Sequence, residues 1–131
     1  MSGTPRSRPT LAPLLNVREG ARAVAFYKAA FGAKEIFVLS EGGVVAHLSI
    51  GAADFWLADE SLEHQNPSPD SLGGSTTRIV LTVDDPDAVF QRAVAAGARI
   101  LYPVEDQSYG WRVGRLVDPF GHHWEIGKPL S

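Results

Sequence analysis

Seven polar side chains stand inside otherwise apolar stretches of the chain, and their types are those that bind anions, move protons or ligate metal ions. They are His47, Ser49, Arg78, Thr82, Arg112, His123 and Glu125. Imidazole and carboxylate groups serve as acids, bases and metal ligands, whereas guanidinium groups bind carboxylates and phosphates. The absence of cysteine excludes thiolate metal sites, disulfides and a cysteine nucleophile. No serine lies in a nucleophile-elbow pattern, so a hydrolytic triad finds no support.

Alternation along the predicted strands decides which way these side chains face. Successive residues of a strand point to opposite sides of a sheet, and an apolar row predicts the side that packs against a helix. In residues 77–83 the positions 79, 81 and 83 are apolar, so the even-numbered positions are assigned to the open side. The same rule assigns to the open side His47, Ser49, Arg78, Val80, Thr82, His123 and Glu125.

In the strand predicted over residues 111–117, the large apolar side chains indicate which side packs against a helix. Trp111 and Val113 are expected to pack under a helix, which turns Arg112 to the open side. There Arg112 is either an anchor for a ligand or a structural partner for the acidic pair Glu105-Asp106, and the sequence leaves both interpretations open.

If the two sheets curl together, these open sides line one concave surface. A mostly apolar hollow with a few convergent polar groups is the usual form of a small-molecule site. The same residues would also be ordinary on the solvated side of an antiparallel sheet. The residue pattern alone favours neither interpretation.

The elements that carry these residues occur twice in the chain. Leu15-Asn16-Val17 recurs 66 residues later as Leu81-Thr82-Val83, and each copy is followed by a helical stretch. Trp56 is aligned with Trp124, 68 residues later, and both are expected to face the helices. Each copy predicts one strand, one helix and three further strands. Two copies too small to bury separate cores should pack into one α+β domain of two βαβββ modules around a concave mixed sheet.

The two helices have recognisable ends. The first is predicted over residues 20–31 and ends at Gly32, a residue type that adopts the left-handed conformation found after helices. The second has Pro86 in its first turn, runs to Ala96 and ends at Gly97.

The length of 131 residues supports one domain. The predicted organisation is a tail over residues 1–10 and a single domain over 11–128, with module one at 11–59, a polar linker at 60–75 and module two at 76–128. A net charge of −3 indicates neither nucleic acid nor an anionic membrane as a partner. Because the sequence has no long apolar run, secretory signal or cysteine, the expected location is the cytoplasm.

Three segments carry a family pattern. Residues 25–33 read Ala-Phe-Tyr-Lys-Ala-Ala-Phe-Gly-Ala, and residues 109–115 read Tyr-Gly-Trp-Arg-Val-Gly-Arg. Residues 118–126 read Asp-Pro-Phe-Gly-His-His-Trp-Glu-Ile. Together they resemble the vicinal oxygen chelate superfamily (glyoxalase I, bleomycin resistance proteins and extradiol dioxygenases), and most closely its PhnB-like branch. The resemblance covers residues 11–128 and implies paired βαβββ modules around a cavity, with two chains forming the clefts of a homodimer.

The resemblance also implies where a divalent metal ion would be held. The family's ligands are His, Gln or Glu side chains near the start of each module's first strand and on its last strand, which here are Ala12, Leu57, Arg78 and Glu125. Only Glu125 could ligate, and a guanidinium repels a cation. No metal and no cofactor are therefore expected, and an ion pair between Arg78 and Glu125 is predicted in the ion's place. A metal site improvised from Glu125 and the two open-side histidines is the alternative.

Three functions are compatible with these residues. The first is metal-independent sequestration of an aromatic or amphipathic small molecule, as in bleomycin resistance proteins, with a role in antibiotic resistance. Its expected ligand-binding residues are His47, Ser49, Phe55, Leu57, Arg78, Val80, Arg112, His123 and Glu125. The second is a glyoxalase-like lyase or isomerase in which Glu125 is the acid–base group. The third is an oligomeric accessory domain whose hollow binds a partner peptide.

Overall fold

Two βαβββ units, joined by a linker with one short helix, make up the fold in the computed structural model, which describes residues 8–131. Module one contains β1 (Leu14–Val17), α1 (Gly20–Phe31), β2 (Lys34–Leu39), β3 (Val45–Ile50) and β4 (Ala53–Asp59). The linker contains α2 (Pro69–Leu72). Module two contains β5 (Arg78–Thr82), α3 (Pro86–Ala96), β6 (Arg99–Asp106), β7 (Trp111–Val117) and β8 (His123–Pro129). Of the predicted tail over residues 1–10, the first seven residues lie outside the described part.

Each module forms a four-stranded mixed sheet with the same topology. The strand order is β1-β4-β3-β2 in module one and β5-β8-β7-β6 in module two. In both sheets the first strand runs parallel to the last, and the other neighbours are antiparallel. The predicted α+β fold of two βαβββ modules is therefore confirmed.

The two main helices end at the glycines predicted from the sequence. Gly32 follows α1 with a φ of 66°, a left-handed conformation that glycine adopts without steric cost. Asp85 caps α3, because its side chain accepts a hydrogen bond from the backbone N–H of Ala88 at 3.1 Å. Within residues 8–131 no helix has the length and apolar composition needed to span a bilayer.

The linker is more structured than its polar composition predicted. Ser68 begins α2, where its side chain accepts a hydrogen bond from the Ser71 backbone N–H at 3.3 Å, and Ser68 is fully buried. The backbone N–H of Ser68 donates to Glu60 at 2.8 Å, and this hydrogen bond is the main cause that lowers the pKa of the Glu60 carboxyl. A helix of four residues has no hydrophobic periodicity, so the sequence pattern could not reveal it.

One hydrophobic core joins the two modules. The centre of the Trp124 ring on β8 lies 4.7 Å from that of Phe31 and 5.6 Å from that of Tyr27, and both partners are on α1. The Tyr27 hydroxyl donates to the buried Asp118, which also accepts from the Trp124 indole N–H at 2.9 Å. Aromatic packing and one buried carboxylate therefore fix α1 of module one against β8 of module two.

Removing the Tyr27 hydroxyl should change how stability depends on alkaline pH. Burial, followed by the nearby Asp118 carboxylate, raises the pKa of Tyr27 well above its usual value. Above about pH 10 the unfolded chain loses this proton while the folded chain keeps it, so the free energy of unfolding of the wild type falls. In Tyr27→Phe this fall should be smaller, and at neutral pH the variant should lose about 1 kcal/mol. Urea unfolding at neutral and alkaline pH measures both effects, and equal alkaline losses in the two proteins would contradict this role of the hydroxyl.

The strand pairing corrects the predicted alignment of the two modules. Leu57 of β4 corresponds to Ile126 of β8, which lies 69 residues later rather than 68. The buried Trp124 therefore corresponds to Phe55, not to Trp56. Phe55 is 3% exposed and faces the helices, whereas Trp56 lies on the open side of β4. Because strand side chains alternate, an error of one residue had put Trp56 on the wrong side of the sheet.

Candidate functional site

Arg78 and Glu125 form the ion pair predicted for the open side of module two. Arg78 is on β5 and Glu125 is on the neighbouring β8, and Arg78 Nη1 lies 3.0 Å from Glu125 Oε1. The Arg78 side chain is 56% exposed and the Glu125 side chain 25%, so water screens the attraction. The pair therefore positions the Glu125 carboxylate more than it stabilises the fold.

Arg112 corrects the predicted faces of β7. Its Nε and Nη2 donate to the two carboxylate oxygens of Asp87 on α3 at 2.8 and 2.7 Å, and its Nη1 donates to Asp106 at 3.0 Å. The hydrogen bonds from Arg112 lower the pKa of Asp87. Arg112 thus lies on the helix side as a structural partner of acidic groups and does not belong to the open side.

The same inversion changes the surroundings of the other β7 residues. Trp111 and Val113, which were expected in the core, line the open surface beside Glu125. Gly114 instead lies under α3, where an added Cβ would be 2.9 Å from Phe90 Cε2. The backbone N of Val104 on β6 would be closer still, at 2.8 Å. Position 114 therefore requires glycine, a requirement that carries no hydrophobic signal in the sequence.

Arg115 joins the open side and was missed as a site residue. It stands directly opposite Glu125 in the pairing of β7 with β8, yet no carboxylate of residues 8–131 forms an ion pair with it. Its Nη2 lies 2.9 Å from His123 Nδ1, and its buried Nε has no hydrogen-bond partner. The available signal was a charged residue in an otherwise apolar row of β7.

The pKa of His123 is expected to lie below that of a free imidazole. Burial, followed by repulsion from the Arg115 guanidinium, lowers the pKa of His123. We expect an NMR titration midpoint below 6.5 in the wild type and a shift toward 6.5 in Arg115→Gln, where that repulsion is gone. Because the unfolded chain takes up this proton first, the free energy of unfolding should fall as the pH drops through this range. A wild-type midpoint at or above 6.5 would contradict the contact between the two side chains.

A hollow of about 330 Å³, here called the module-two hollow, lies on the open side of module two. Its charged lining consists of Arg78, Glu105, Arg115 and Glu125, and its aromatic lining of Tyr102 and Tyr109. Charged groups beside aromatic rings suit a small molecule that has both polar and apolar parts.

A larger hollow of about 730 Å³, here called the module-one hollow, is bordered mainly by module one and on one side by β5 and Trp124 of module two. The His47 and Trp56 rings that border it are stacked, with centres 4.2 Å apart and planes inclined by 8°. His47 Nε2 lies 3.2 Å from Asp54 Oδ2, so the imidazole and the carboxylate are hydrogen-bonded. Leu11 and Val80 add apolar surface. The hollow therefore combines a flat aromatic platform with one polar pair.

The predicted site residues of the open sides fall into two groups within one chain. His47 and Ser49 belong to β3, and both are partly exposed on its open side. Arg78, His123 and Glu125 belong to β5 and β8 of module two. In place of the single concave surface expected from the sequence, one chain has two hollows, of which the larger also touches β5 and Trp124 of module two.

Phe55 and Leu57 correct the predicted site. They are 3% and 0% exposed and lie on the helix side of β4, so Leu57 is a core residue and Phe55 reaches only the inner wall of the module-one hollow. Their assignment to the open side followed from the alignment of the two tryptophans. Val80, in contrast, is 58% exposed on the open side of β5, as predicted.

Several residues at the two hollows stand at equivalent positions of the two modules. The corrected register pairs Ala12 with Arg78, His47 with Arg115, Asp54 with His123, and Trp56 with Glu125. The imidazole–carboxylate contact of module one accordingly matches the guanidinium–imidazole contact of module two. Equivalent backbone positions thus hold the stacked rings of His47 and Trp56 in module one and the charged groups of Arg115 and Glu125 in module two.

The residues at the positions implied for a divalent ion do not fit one. After correction of the register these positions are Ala12, Trp56, Arg78 and Glu125, of which only Glu125 offers a ligand. The Arg78 guanidinium forms an ion pair with the Glu125 carboxylate and would repel a metal cation. In the part of the chain that the structure describes, no three His, Asp or Glu side chains come together in a way that could hold an ion.

Comparison with known proteins agrees with this fold. The model of the Glyoxalase/Bleomycin resistance protein/Dioxygenase superfamily matches residues 10–126. The uncharacterized protein Mb0911c of Mycobacterium bovis is 42% identical over 128 residues, which cover 93% of this chain and 84% of that protein.

Two solved structures illustrate the similarity in three dimensions. TioX from Micromonospora sp. ML1 has a TM-score of 0.72 and 27% identity, and the match covers 93% of this chain and all of that chain. The fosfomycin resistance protein FosX from Mesorhizobium loti has a TM-score of 0.67 and 18% identity, and the match covers 94% of this chain and 93% of that chain. At this level of identity the similarity shows the fold alone. Since the family model spans nearly the whole sequence, this chain belongs to the glyoxalase/bleomycin resistance protein/dioxygenase superfamily.

Proposed function

We propose that this chain is a metal-independent binding protein that sequesters an aromatic or amphipathic small molecule in the clefts of a homodimer. The observation that carries the proposal is the Arg78–Glu125 ion pair. At the positions implied for a metal ion, Glu125 is the one residue that could ligate, and its carboxylate is bound to Arg78. Sequestration requires affinity without a chemical step, so a protein of this kind needs no ion. By removing a toxic compound, it would serve in antibiotic resistance.

The two hollows support binding of a ligand with apolar surface. Their volumes of about 730 and 330 Å³ fall in the usual range of small-molecule sites, roughly 300–1,000 Å³. The stacked His47 and Trp56 rings offer a platform for a planar group. Tyr102 and Tyr109, 61% and 68% exposed, offer further aromatic surface in the module-two hollow.

Exposed apolar residues near the sheet edges support the homodimer. Leu14 of β1 and Val80 of β5 are 54% and 58% exposed, and both strands are at the edges of their sheets. A second chain along these edges would bury apolar surface. Such an arrangement would set the module-one hollow of one chain opposite the module-two hollow of its partner. A ligand between them would meet an aromatic platform on one side and charged groups on the other.

We also propose that the chain belongs to the PhnB-like branch and acts in the cytoplasm. Membership of this branch is supported by the amino-acid sequence of residues 25–33, 109–115 and 118–126. The location is supported by the absence of cysteine from the sequence.

A thermal-shift screen of aromatic natural products and glycopeptide antibiotics tests the binding proposal. A ligand at about 100 times its Kd adds about 2.7 kcal/mol of stability, which raises the Tm by several degrees. We expect hits that persist in the presence of a chelator and are lost in Trp56→Ala. Leu130→Ala, which changes a residue that is 46% exposed and lines neither hollow, should keep them. No shift across a broad panel would contradict the proposal.

The mass in solution tests the dimer. We expect size-exclusion chromatography with light scattering to give the mass of two chains, and Val80→Asp to shift the equilibrium toward one chain. A single-chain mass at every concentration would contradict clefts formed between two chains.

A glyoxalase-like lyase or isomerase is the second candidate, with Glu125 as the acid–base group. It is favoured by the position of Glu125 in the module-two hollow, where Arg78 holds its carboxylate. Exchange of a ligand C–H proton with heavy water, followed by NMR, separates the two functions. Exchange that is abolished in Glu125→Gln would favour the enzyme, whereas binding without exchange would favour sequestration.

A further inference from the structure

We infer that the module-two hollow contains an oxyanion subsite centred on Arg115, which binds a carboxylate or phosphonate group of the ligand. The inference rests on the proposed function, because it names the chemical class of the molecule that is sequestered. It goes further in assigning one side chain the recognition of a negative charge.

The guanidinium of Arg115 lacks a negative partner in the part of the chain that the structure describes. The ion pairs of this region engage other arginines and none includes Arg115, although it lines the module-two hollow. Its Nε is buried without a hydrogen-bond partner. The rest of the guanidinium lines the hollow, where an anion would supply the negative partner that residues 8–131 do not give it.

Within residues 8–131, the one side-chain polar contact of Arg115 is with a neutral group. A guanidinium only donates, so His123 Nδ1 accepts from Arg115 Nη2 at 2.9 Å, and the imidazole proton is on the other nitrogen. The lowered pKa of His123 agrees with an uncharged ring. His123 therefore orients the guanidinium without cancelling its charge.

Glu125 does not supply the missing charge, although it is the nearest residue across the strands. Its Oε1 accepts from Arg78 Nη1 at 3.0 Å, and Arg115 stands opposite it in the register without forming a pair. With Arg99 opposite Val117 on the same side, the open side of module two presents three arginines against Glu125 and Glu105. This side is thus positive by one charge on a chain whose net charge is −3.

The shape of the hollow defines the rest of the ligand. Tyr102 pairs with Arg115 across β6 and β7, and Tyr109 borders the same hollow. A planar guanidinium binds a carboxylate or phosphonate through two parallel hydrogen bonds, and the tyrosine rings pack on apolar groups next to it. The ligand class is therefore an aromatic or amphipathic molecule with one terminal oxyanion.

Two probes of matched shape test the subsite. We expect calorimetric titration at neutral pH to show that 2-naphthoate binds the wild type at least tenfold more tightly than the neutral 2-naphthamide. A third probe, 2-naphthylphosphonate, distinguishes the two oxyanions, because a subsite built for phosphonate would prefer it to the carboxylate. Equal affinity for naphthamide and both anions would overturn the inference and leave the proposed function standing, whereas no binding of any probe would contradict both.

Variants assign the preference to Arg115. In Arg115→Gln we expect the anionic and neutral probes to bind within about twofold of each other, with affinity for the amide retained. Arg115→Lys, which keeps the charge but loses the planar fork, should retain part of the preference. Arg22→Gln, on the exposed face of α1, should retain all of it. A full anion preference in Arg115→Gln would overturn the inference, and the wild-type comparison decides the matter even if this variant fails to fold.

Discussion

Replacing Trp124 with alanine is expected to lower the free energy of unfolding by about 4 kcal/mol. The side chain is 1% exposed, and its ring centre lies 4.7 Å from that of Phe31 and 5.7 Å from that of Phe55. The substitution would open a cavity between α1 and β8 and leave Asp118 without the indole donor. Urea-induced unfolding followed by far-ultraviolet circular dichroism measures the loss, because that signal does not rely on tryptophan fluorescence.

Trp56→Ala is the matched control for this prediction. Trp56 is partly exposed on the open side of β4, where its main partner is the His47 ring. Loss of one stacked aromatic pair should lower the free energy of unfolding by about 1.5 kcal/mol. Similar losses in the two variants would contradict the register in which Trp124 corresponds to Phe55.

Replacing Asp118 with asparagine is expected to lower the free energy of unfolding by about 3 kcal/mol. The Asp118 side chain is buried, and one oxygen accepts from the Tyr27 hydroxyl and the Trp124 indole. The other oxygen accepts from the backbone N–H groups of Phe120 and His122 at 2.9 and 3.0 Å. An asparagine has a single oxygen, so whichever way its amide is turned, the NH₂ group faces two donors.

Asp84→Asn provides the control for the buried carboxylate. Asp84 is exposed, and its substitution should change the free energy of unfolding by about 0.5 kcal/mol or less. A double-mutant cycle of Asp118→Asn with Tyr27→Phe should give less than the sum of the single losses, because both remove the same hydrogen bond. A loss in Asp118→Asn no larger than that of the control would contradict the role of Asp118 in joining the modules.

The fold could be predicted because two independent sequence signals agree. The repeated strand–helix pattern indicates two similar modules, and Gly32 and Gly97 end the two main helices where the pattern ends. Local signals of this kind depend on neighbouring residues and on backbone conformation, both of which are visible in a sequence. The short helix α2 has neither a periodic face nor enough residues to reveal itself.

The open side of β7 could not be predicted, because both of its sides carry apolar residues. Trp111 and Val113 indicated the core by their size, but they line the open surface near Glu125. The true helix side contains Gly114, where an added side chain would collide with the Val104 backbone of β6 and with Phe90 of α3. Because the open surface is itself lined by apolar residues, the sequence pattern assigned the two sides of β7 the wrong way round. Arg112 was therefore expected on the open side, where the structure has Arg115.

The ion pair between Arg78 and Glu125 could be predicted because the family resemblance implies that these two positions converge, and alternation assigns both side chains to the open side. Both residues were assigned to the open sides of β5 and β8, and the structure pairs these strands side by side. The orphaned Arg115 depends instead on which acceptors its neighbours leave free, and this is a property of the folded chain. Related backbone positions in the two modules thus hold different chemistry, as expected where function is set by the site rather than by the fold.

Calorimetric titration of the wild-type protein with Mn²⁺, Ni²⁺ and Zn²⁺ tests most directly whether opposite charges have replaced a metal ion on the open side of module two. Because Arg78 is paired with the carboxylate of Glu125, and residues 8–131 bring no three His, Asp or Glu side chains together around an ion, no ion should bind stoichiometrically. Binding of one ion per chain, abolished in Glu125→Gln and retained in Asp54→Asn, would contradict this conclusion.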